Sequence, residues 1–191
     1  MKLDEMANVV RGSEGDPDAE MTMAILSAAE QENGLAVLVT EALSSRREWS
    51  IRLAAIAVNR LASMEEDDAL PHVAVLFFEL GSGVLELDDD AATQTWLNAA
   101  KWLNETGRLR PRGDDDRDLV LEVLWRALVR GAFNTRESGL DTLTSIHDFG
   151  DLVDLLGRER ISKLRQRIRA ASTDARREVV DDLQAAERLL P

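Results

Sequence analysis

The stretch EWSIRLAAIAVNRLA, residues 48–62, decides the fold. On a helical wheel its apolar side chains cover an arc of roughly 200°, about twice what an ordinary surface helix buries. The arc is made by Ile51, Leu53, Ala54, Ala55, Ala57, Val58, Leu61 and Ala62. A helix of this kind needs neighbours on two sides, and its alanines let the neighbouring backbones approach closely.

Similar apolar patterns recur along the chain at nearly constant intervals. They lie in DDAATQTWLNAAKWLNE (89–105), TRESGLDTLTSIHDF (135–149) and TDARREVVDDLQAAERLL (173–190), with a shorter first copy in MTMAILSAA (21–29). The matching columns Ala55, Leu97, Leu140 and Val180 are 42, 43 and 40 residues apart. Second helical segments fall between the copies, at 34–43, 71–85, 117–133 and 150–171. The sequence therefore predicts an all-α protein of about nine helices, paired by short loops.

Glycine and aspartate mark the predicted helix ends. GSG at 81–83 is interpreted as a helix break, because glycine readily adopts the left-handed conformation of a helix C-cap. Helix N-termini are predicted at the aspartate runs 88–90 and 114–116 and at Thr173 with Asp174. Acidic groups at these positions are stabilised by the helix dipole.

The segment EWSIRLAA (48–55) resembles the HEAT family of helical repeats, as does the period of about 40 residues. The resemblance rests on Glu48, Ile51, Arg52, Ala54 and Ala55, and RREVV (176–180) places Arg177 in the column of Arg52. The middle copies carry Gln94 and Glu137 in that column. The resemblance implies a short α-solenoid whose inner face comes from the second helix of each pair. An irregular multi-helix bundle is the alternative.

Composition places the chain among globular proteins, because 45% of its residues are apolar and 31% are charged. No apolar run approaches the roughly 20 residues that cross a bilayer, and the N-terminus lacks the apolar core of a signal peptide. We therefore expect a cytoplasmic protein with no membrane contact. Residues 1–15 are predicted to be a partly flexible N-terminal segment, and residues 16–191 the HEAT-like repeat domain.

The sequence offers little to catalysis. With no cysteine there is no thiol nucleophile or thiolate metal site, and His72 and His147 lie in different predicted helices without metal-ligand spacing. No glycine-rich phosphate loop occurs, and the aspartate runs fit no Ca²⁺-binding loop. The sequence thus predicts no enzyme, no cofactor and no metal site.

Tryptophan is the most notable aromatic residue in a chain without tyrosine. Trp96 and Trp125 lie on apolar stripes and are predicted to be core residues, whereas Trp49 and Trp102 lie off the stripes. HEAT-like DNA glycosylases handle bases with aromatic and acidic residues, but on a strongly basic surface that the acidic first half of this chain does not provide. Trp49 and Trp102 are therefore predicted to be partly exposed anchors for a protein partner.

A basic helix is predicted near the C-terminus, in RERISKLRQRIRAASTDARR (158–177). Its candidate binding residues are Arg158, Arg160, Lys163, Arg165, Arg167 and Arg169. Three interpretations remain open: the helix neutralises acidic repeats of the same chain, holds an acidic protein surface, or contacts nucleic-acid phosphate. We expect a non-catalytic adaptor that binds a protein partner, with a nucleic-acid-associated regulator as the alternative. The terminal leucines of AERLLP also favour a homodimer contact.

The chain has a formal net charge of −13, and the whole of it is carried by the first part. Residues 1–107 hold 20 acidic and 7 basic side chains, whereas residues 108–191 hold 16 of each. Only three of the 23 basic residues are lysines. Abundant aspartate and arginine in place of lysine resemble the proteins of high-salt archaea, so a halophilic source is expected.

We expect the melting temperature to rise when KCl is increased from about 0.1 M to about 1 M. The screening length falls from about 10 Å to about 3 Å over this range, which weakens the repulsion among the acidic side chains. Thermal melts followed by circular dichroism measure the change. A melting temperature that is constant or falls would contradict the expectation.

Overall fold

The computed structural model describes residues 2–12, 17–31, 33–64 and 70–191, and in these ranges the chain forms eleven helices and no strand. They are α1 (Leu3–Gly12), α2 (Ala19–Gln31), α3 (Leu35–Ser45), α4 (Glu48–Ser63), α5 (Leu70–Leu87), α6 (Asp90–Glu105), α7 (Asp114–Arg130), α8 (Phe133–Phe149), α9 (Leu152–Leu156), α10 (Arg158–Asp174) and α11 (Arg177–Leu189). The predicted all-α fold is confirmed. The two helices beyond the predicted nine are α1 and the short α9.

The helices from α3 onward form two layers, and the long helices that follow one another in the chain alternate between them. In the first layer α4, α6, α8 and α11 pack side by side, and in the second layer α3, α5, α7 and α10 do the same. Successive helices such as α3 and α4, or α6 and α7, pack across the two layers. This connectivity is that of stacked helix pairs, and the core lies between the layers.

Helix α4 explains why its sequence is apolar over such a wide arc. It packs against α3 and α5 in the second layer and against α6 beside it. Its alanines, including Ala54 and Ala57, have no exposed surface and let these neighbours approach. The two-sided burial predicted from residues 48–62 is confirmed.

The N-terminal segment is more helical than the sequence indicated. Helix α1 runs for ten residues and packs on α2 and α3. Met6 and Val10, one turn apart on one face, are fully buried. The predicted boundary between residues 15 and 16 lies outside the described residues.

The predicted helix break at residues 81–83 is wrong. Helix α5 continues through Gly81 and Gly83, because both glycines face neighbouring helices at close range. A Cβ atom on Gly81 would lie 2.5 Å from Leu119 Cδ2 of α7, and one on Gly83 would lie 3.0 Å from Ile51 Cδ1 of α4. The glycines therefore serve close packing within a helix, rather than ending it.

Other predicted helix ends are partly right. Asp89 is the N-cap of α6, where its side chain accepts a hydrogen bond from Ala92 N, and Asp114 opens the acidic first turn of α7. Thr173 and Asp174 instead close α10, so the N-terminus predicted there is wrong. The single helix predicted over 150–171 is divided at Gly157, whose φ of +80° interrupts the helix between α9 and α10.

Buried polar side chains fix the register between α6 and α8. The Asn104 amide donates to the backbone oxygen of Ser145 at 2.8 Å and to its Oγ at 3.0 Å. One turn earlier on α8, the Thr142 hydroxyl donates to the Leu97 oxygen at 3.1 Å. These contacts span 41 and 45 residues, which matches the repeat length found in the sequence.

Replacing Asn104 with alanine should lower the free energy of unfolding by about 1–3 kcal/mol, because a buried hydrogen-bonded amide is lost and a cavity is left. Urea denaturation measures the change. Asn98→Ala on the same helix is the matched control, since Asn98 is half-buried and its side chain makes no hydrogen bond within the described residues. Equal effects of the two substitutions would contradict the role given to Asn104.

Candidate interaction surface

The basic residues of α10 lie along the acidic side chains of α7. Arg160 donates to Asp118 at 2.6 and 3.1 Å and approaches Asp114 at 3.2 Å. Two turns further, Arg167 donates to Glu122 at 2.8 Å. The Arg167 guanidinium also lies 5.5 Å from the ring centroid of Trp125. The two helices are thus joined by a ladder of ion pairs on the outer surface of the second layer.

The remaining basic residues of the candidate set fall into two groups. Arg169 pairs with Glu187 of α11 at 2.6 Å, and Arg165 donates to the Leu190 oxygen at 2.8 Å and to the Pro191 oxygen. Arg158 and Lys163 are exposed and make neither a hydrogen bond nor an ion pair with the described residues. Four of the six candidates are therefore engaged within the chain, which favours the interpretation that α10 neutralises internal acids.

Two carboxyl groups of α7, those of Asp118 and Asp116, have a lowered pKa because an arginine binds each of them. Hydrogen bonds from Arg160 hold the pKa of Asp118 below its ordinary value, against a smaller opposing effect of burial. Arg112 lowers the pKa of Asp116 in the same way, with its Nε 2.9 Å from Asp116 Oδ2. Both acids remain charged through the neutral range, so these helix contacts persist there.

A groove of about 800 Å³ follows the seam between α3 and α5. Its walls and ends are formed by Thr40, Leu43, Ser44, Arg46, Glu48, Ile51, Glu79, Ser82, Gly83, Glu86 and Leu87. A shallower extension of about 340 Å³ shares Thr40 and is lined by Ala36, Val37, Glu41, Val75 and Leu76. We call the two together the α3–α5 groove. It is open to solvent and lies on the second layer.

The groove combines apolar surface with an acidic edge. Val37 is 45% exposed, and Val75 and Leu43 are half-buried. The hydroxyls of Thr40 and Ser44 donate to carbonyl oxygens of their own helix at 3.0 and 2.8 Å, which satisfies these donors within α3. An occupant of the groove therefore does not need to supply hydrogen-bond acceptors for these two hydroxyls.

Two acids of the α5 side of this groove, Glu79 and Glu86, differ from those of the α7–α10 ladder in having no ion-pair partner within the described residues, whereas Glu41 of the extension pairs with Arg11 at 3.1 Å. Glu79 and Glu86 are exposed and make neither a hydrogen bond nor an ion pair there. Arg112 is within electrostatic range of Glu79, but its guanidinium is bound to Asp116. Arg46 is the cation of the groove lining, at the C-terminal end of α3.

A smaller groove lies on the other side of α5, against the loop that precedes α7. It has a volume of about 390 Å³ and is lined by Ala74, Val75, Phe78, Gly107, Arg108, Arg110 and Arg112. Arg112 lies 5.8 Å from the ring centroid of Phe78, which is itself buried. The second layer thus presents an acidic groove and a basic groove on opposite flanks of one helix.

The tryptophans follow their predictions in part. Trp102 is 45% exposed, as expected, and Trp96 is fully buried and stacked on Phe77. The exposure predicted for Trp49 is wrong, since this residue is only 6% exposed. Trp49 lies off the apolar stripe of α4, but this helix is enclosed by α3, α5 and α6, so the buried arc extends past the stripe.

The C-terminus is better covered than the sequence indicated. Leu190 is 6% exposed, and its carbonyl oxygen accepts the hydrogen bond from Arg165. Leu190 therefore offers little surface for a homodimer contact, which stays a prediction. His147 lies exposed in the last turn of α8, and the side chain of His72 lies outside the described part of the structure.

Sequence reasoning missed the α3–α5 groove, although one signal for it was present. Helix α5 contains Glu79 and Glu86 and no lysine or arginine, so its acids have no basic neighbour on their own helix. The neutral residues Thr40 and Ser44 face them because α3 and α5 pack in a register about 40 residues apart. The register between α3 and α5 is set by the packing of the layers and is not evident from the sequence.

Within the described ranges no group of three or more histidine, aspartate or glutamate side chains is placed to hold a metal ion. Within them, too, no helix has both the length and the apolar character to cross a lipid bilayer.

Comparison with known proteins adds no relative: no protein-family model matches the chain, and no curated protein is significantly similar to it.

Replacing Arg160 with glutamine should raise the pKa of Asp118 toward its ordinary value, because the main stabilising hydrogen bonds to the carboxylate are lost. A carbon-detected NMR titration of the side-chain carboxyl groups measures the shift. The Arg158→Gln variant is the control, since Arg158 makes no ion pair with the described residues.

The same pair has a defined pH dependence. Because the folded-state pKa of Asp118 is lowered, its stabilising contribution is present above about pH 4 and is lost as the pH falls through the folded-state pKa. Acid unfolding of the Arg160→Gln variant should show a smaller loss of stability over that range than wild type. If Asp118 titrates in this variant as it does in wild type, Arg160 is not the residue that lowers its pKa.

Proposed function

We propose that this protein is a non-catalytic adaptor that binds a protein partner along the outer face of its second helix layer. The observation that carries the proposal is the α3–α5 groove, which is open, exposes Val37 and parts of Leu43 and Val75, and presents Glu79 and Glu86 without an ion-pair partner in the described residues. Open, elongated grooves between parallel helices suit an extended or helical protein segment, which buries its own apolar side chains there.

The alternative is a nucleic-acid-associated regulator, and one observation favours it. Arg158 and Lys163 are exposed on α10 and have no ion-pair partner in the described part of the chain. Against it, Arg160 and Arg167 are bound to acids of α7 and would have to exchange these partners for phosphate. The net charge of −13 also opposes a phosphate backbone.

Further parts of the proposal follow from the sequence. We infer that the helix pairs are repeats of HEAT type, on the strength of the Glu48–Ala55 motif and contacts that recur at about 42 residues. We also infer a cytoplasmic protein from a high-salt organism, which the acidic composition and the preference for arginine support. Trp102, exposed on the first layer, is a second candidate anchor for a protein.

The proposal is tested by cross-linked affinity purification from native cells at native salt, with and without nuclease. The bait is the full chain, compared with Ser82→Arg, which places a long side chain in the groove, and with Thr144→Arg on the first layer. Ser82 and Thr144 are both exposed helix residues, so neither substitution enters the core. Defined proteins should be recovered with wild type and Thr144→Arg, should resist nuclease, and should be lost with Ser82→Arg.

Two results would contradict the proposal, the first its adaptor function and the second its binding surface. Recovery that collapses with nuclease, and that also falls in an Arg158→Glu/Lys163→Glu variant, would instead establish nucleic-acid contact through α10. Recovery that is equal for Ser82→Arg and Thr144→Arg would show that the groove is not the binding surface.

A further inference from the structure

We propose that the occupant of the α3–α5 groove is a basic amphipathic helix of a partner protein, whose cationic side chains bind Glu79 and Glu86. The inference rests on the proposed adaptor function and names the chemistry of the partner.

The charge of the groove selects the occupant. Glu79 and Glu86 lie along one edge, and Glu48 lies at the start of α4 at one end of the groove. None of the three makes an ion pair or a side-chain hydrogen bond within the described residues. The groove lies in the part of the chain that carries the whole net charge of −13, so the surrounding field also attracts cations.

Helix α10 shows which kind of segment binds such acids in this protein. Ile161, Leu164 and Ile168 are buried as an apolar stripe, which holds the helix against the array. Arg160 and Arg167 precede the first and last of these residues and reach the acids of α7. A basic helix with a narrow apolar stripe is thus already packed beside an acidic helix of the second layer.

The spacing of the groove acids matches that arrangement. Glu79 and Glu86 are seven residues apart, as Arg160 and Arg167 are, which is about two helical turns or roughly 10 Å. A helix that lies along α5 can therefore place two cations seven residues apart against both acids at once. Its apolar stripe then meets Val37, Leu43 and Val75, which the groove exposes in part.

The test uses a synthetic amphipathic helix as the probe. The peptide has leucine at positions i, i+3 and i+7, arginine at i−1 and i+6, and alanine or glutamine elsewhere, and a counterpart carries glutamate in place of arginine. Binding to the full-length protein is followed by fluorescence anisotropy. The arginine peptide should bind wild type with an affinity that falls as salt is added, and the glutamate peptide should not bind.

Two charge variants with the same change in net charge separate local from general attraction. The Glu79→Gln/Glu86→Gln variant should bind the arginine peptide roughly tenfold or more weakly than wild type, since two charge-assisted contacts are lost. Glu105→Gln/Glu137→Gln removes two exposed acids of the first layer that have no ion pair within the described ranges, and it should leave binding nearly unchanged. The reversed variant Glu79→Arg/Glu86→Arg should bind the glutamate peptide instead.

Each remaining outcome overturns a defined part of the scheme. Equal weakening by the two glutamine variants would mean nonspecific charge attraction and would reject the inference. If the arginine peptide does not bind, while native partners are still lost with Ser82→Arg, the adaptor function stands and the basic helix is rejected. If native partners are also unaffected by Ser82→Arg, both are rejected.

Discussion

The structure depends on the close lateral packing of helices that are buried on more than one side. In the first layer small side chains allow this packing, and Ala54, Ala57 and Ala99 have no exposed surface. Between the layers, a Cβ atom on Gly139 of α8 would lie 3.3 Å from Ala127 Cβ of α7. In the second layer the same close packing places Gly81 against Leu119. Small residues bring the helices close enough for polar side chains to reach across, and only then can Asn104 and Thr142 set the register.

The part of the fold that depends on residues near in sequence was predictable. The apolar period located all four first-layer helices and their second-layer partners, because each helix must bury its own stripe. Predictions that depended on the environment of a residue were less reliable. Trp49 and the glycines of α5 were predicted wrongly for the same reason, which is the position of a neighbouring helix. Neighbouring helices bury Trp49 although it lies off the apolar stripe, and they approach Gly81 and Gly83 closely within a continuous helix.

The candidate site was less predictable than the fold, because charge pairing depends on the register between helices about 40 residues apart. The basic character of α10 is evident in the sequence, but its pairing with Asp118 and Glu122 depends on how α7 and α10 lie side by side. The lack of an ion-pair partner for Glu79 and Glu86 within the described residues arises in the same way from the packing of α3 on α5. Two acidic helices of one layer thereby acquire different roles, one joined to its neighbour and one left facing solvent.

The chain order of the two layers has a consequence for folding. Extensively packed helices are never more than four helices apart in the described part of the chain, so no extensive contact joins helices that are distant in sequence. Such an array has low contact order, and any adjacent set of helices can begin the folding of the rest. Unfolding can likewise start at either end and proceed helix by helix, so that the middle pairs, which have neighbours on both sides, are the last to lose their protection from hydrogen exchange.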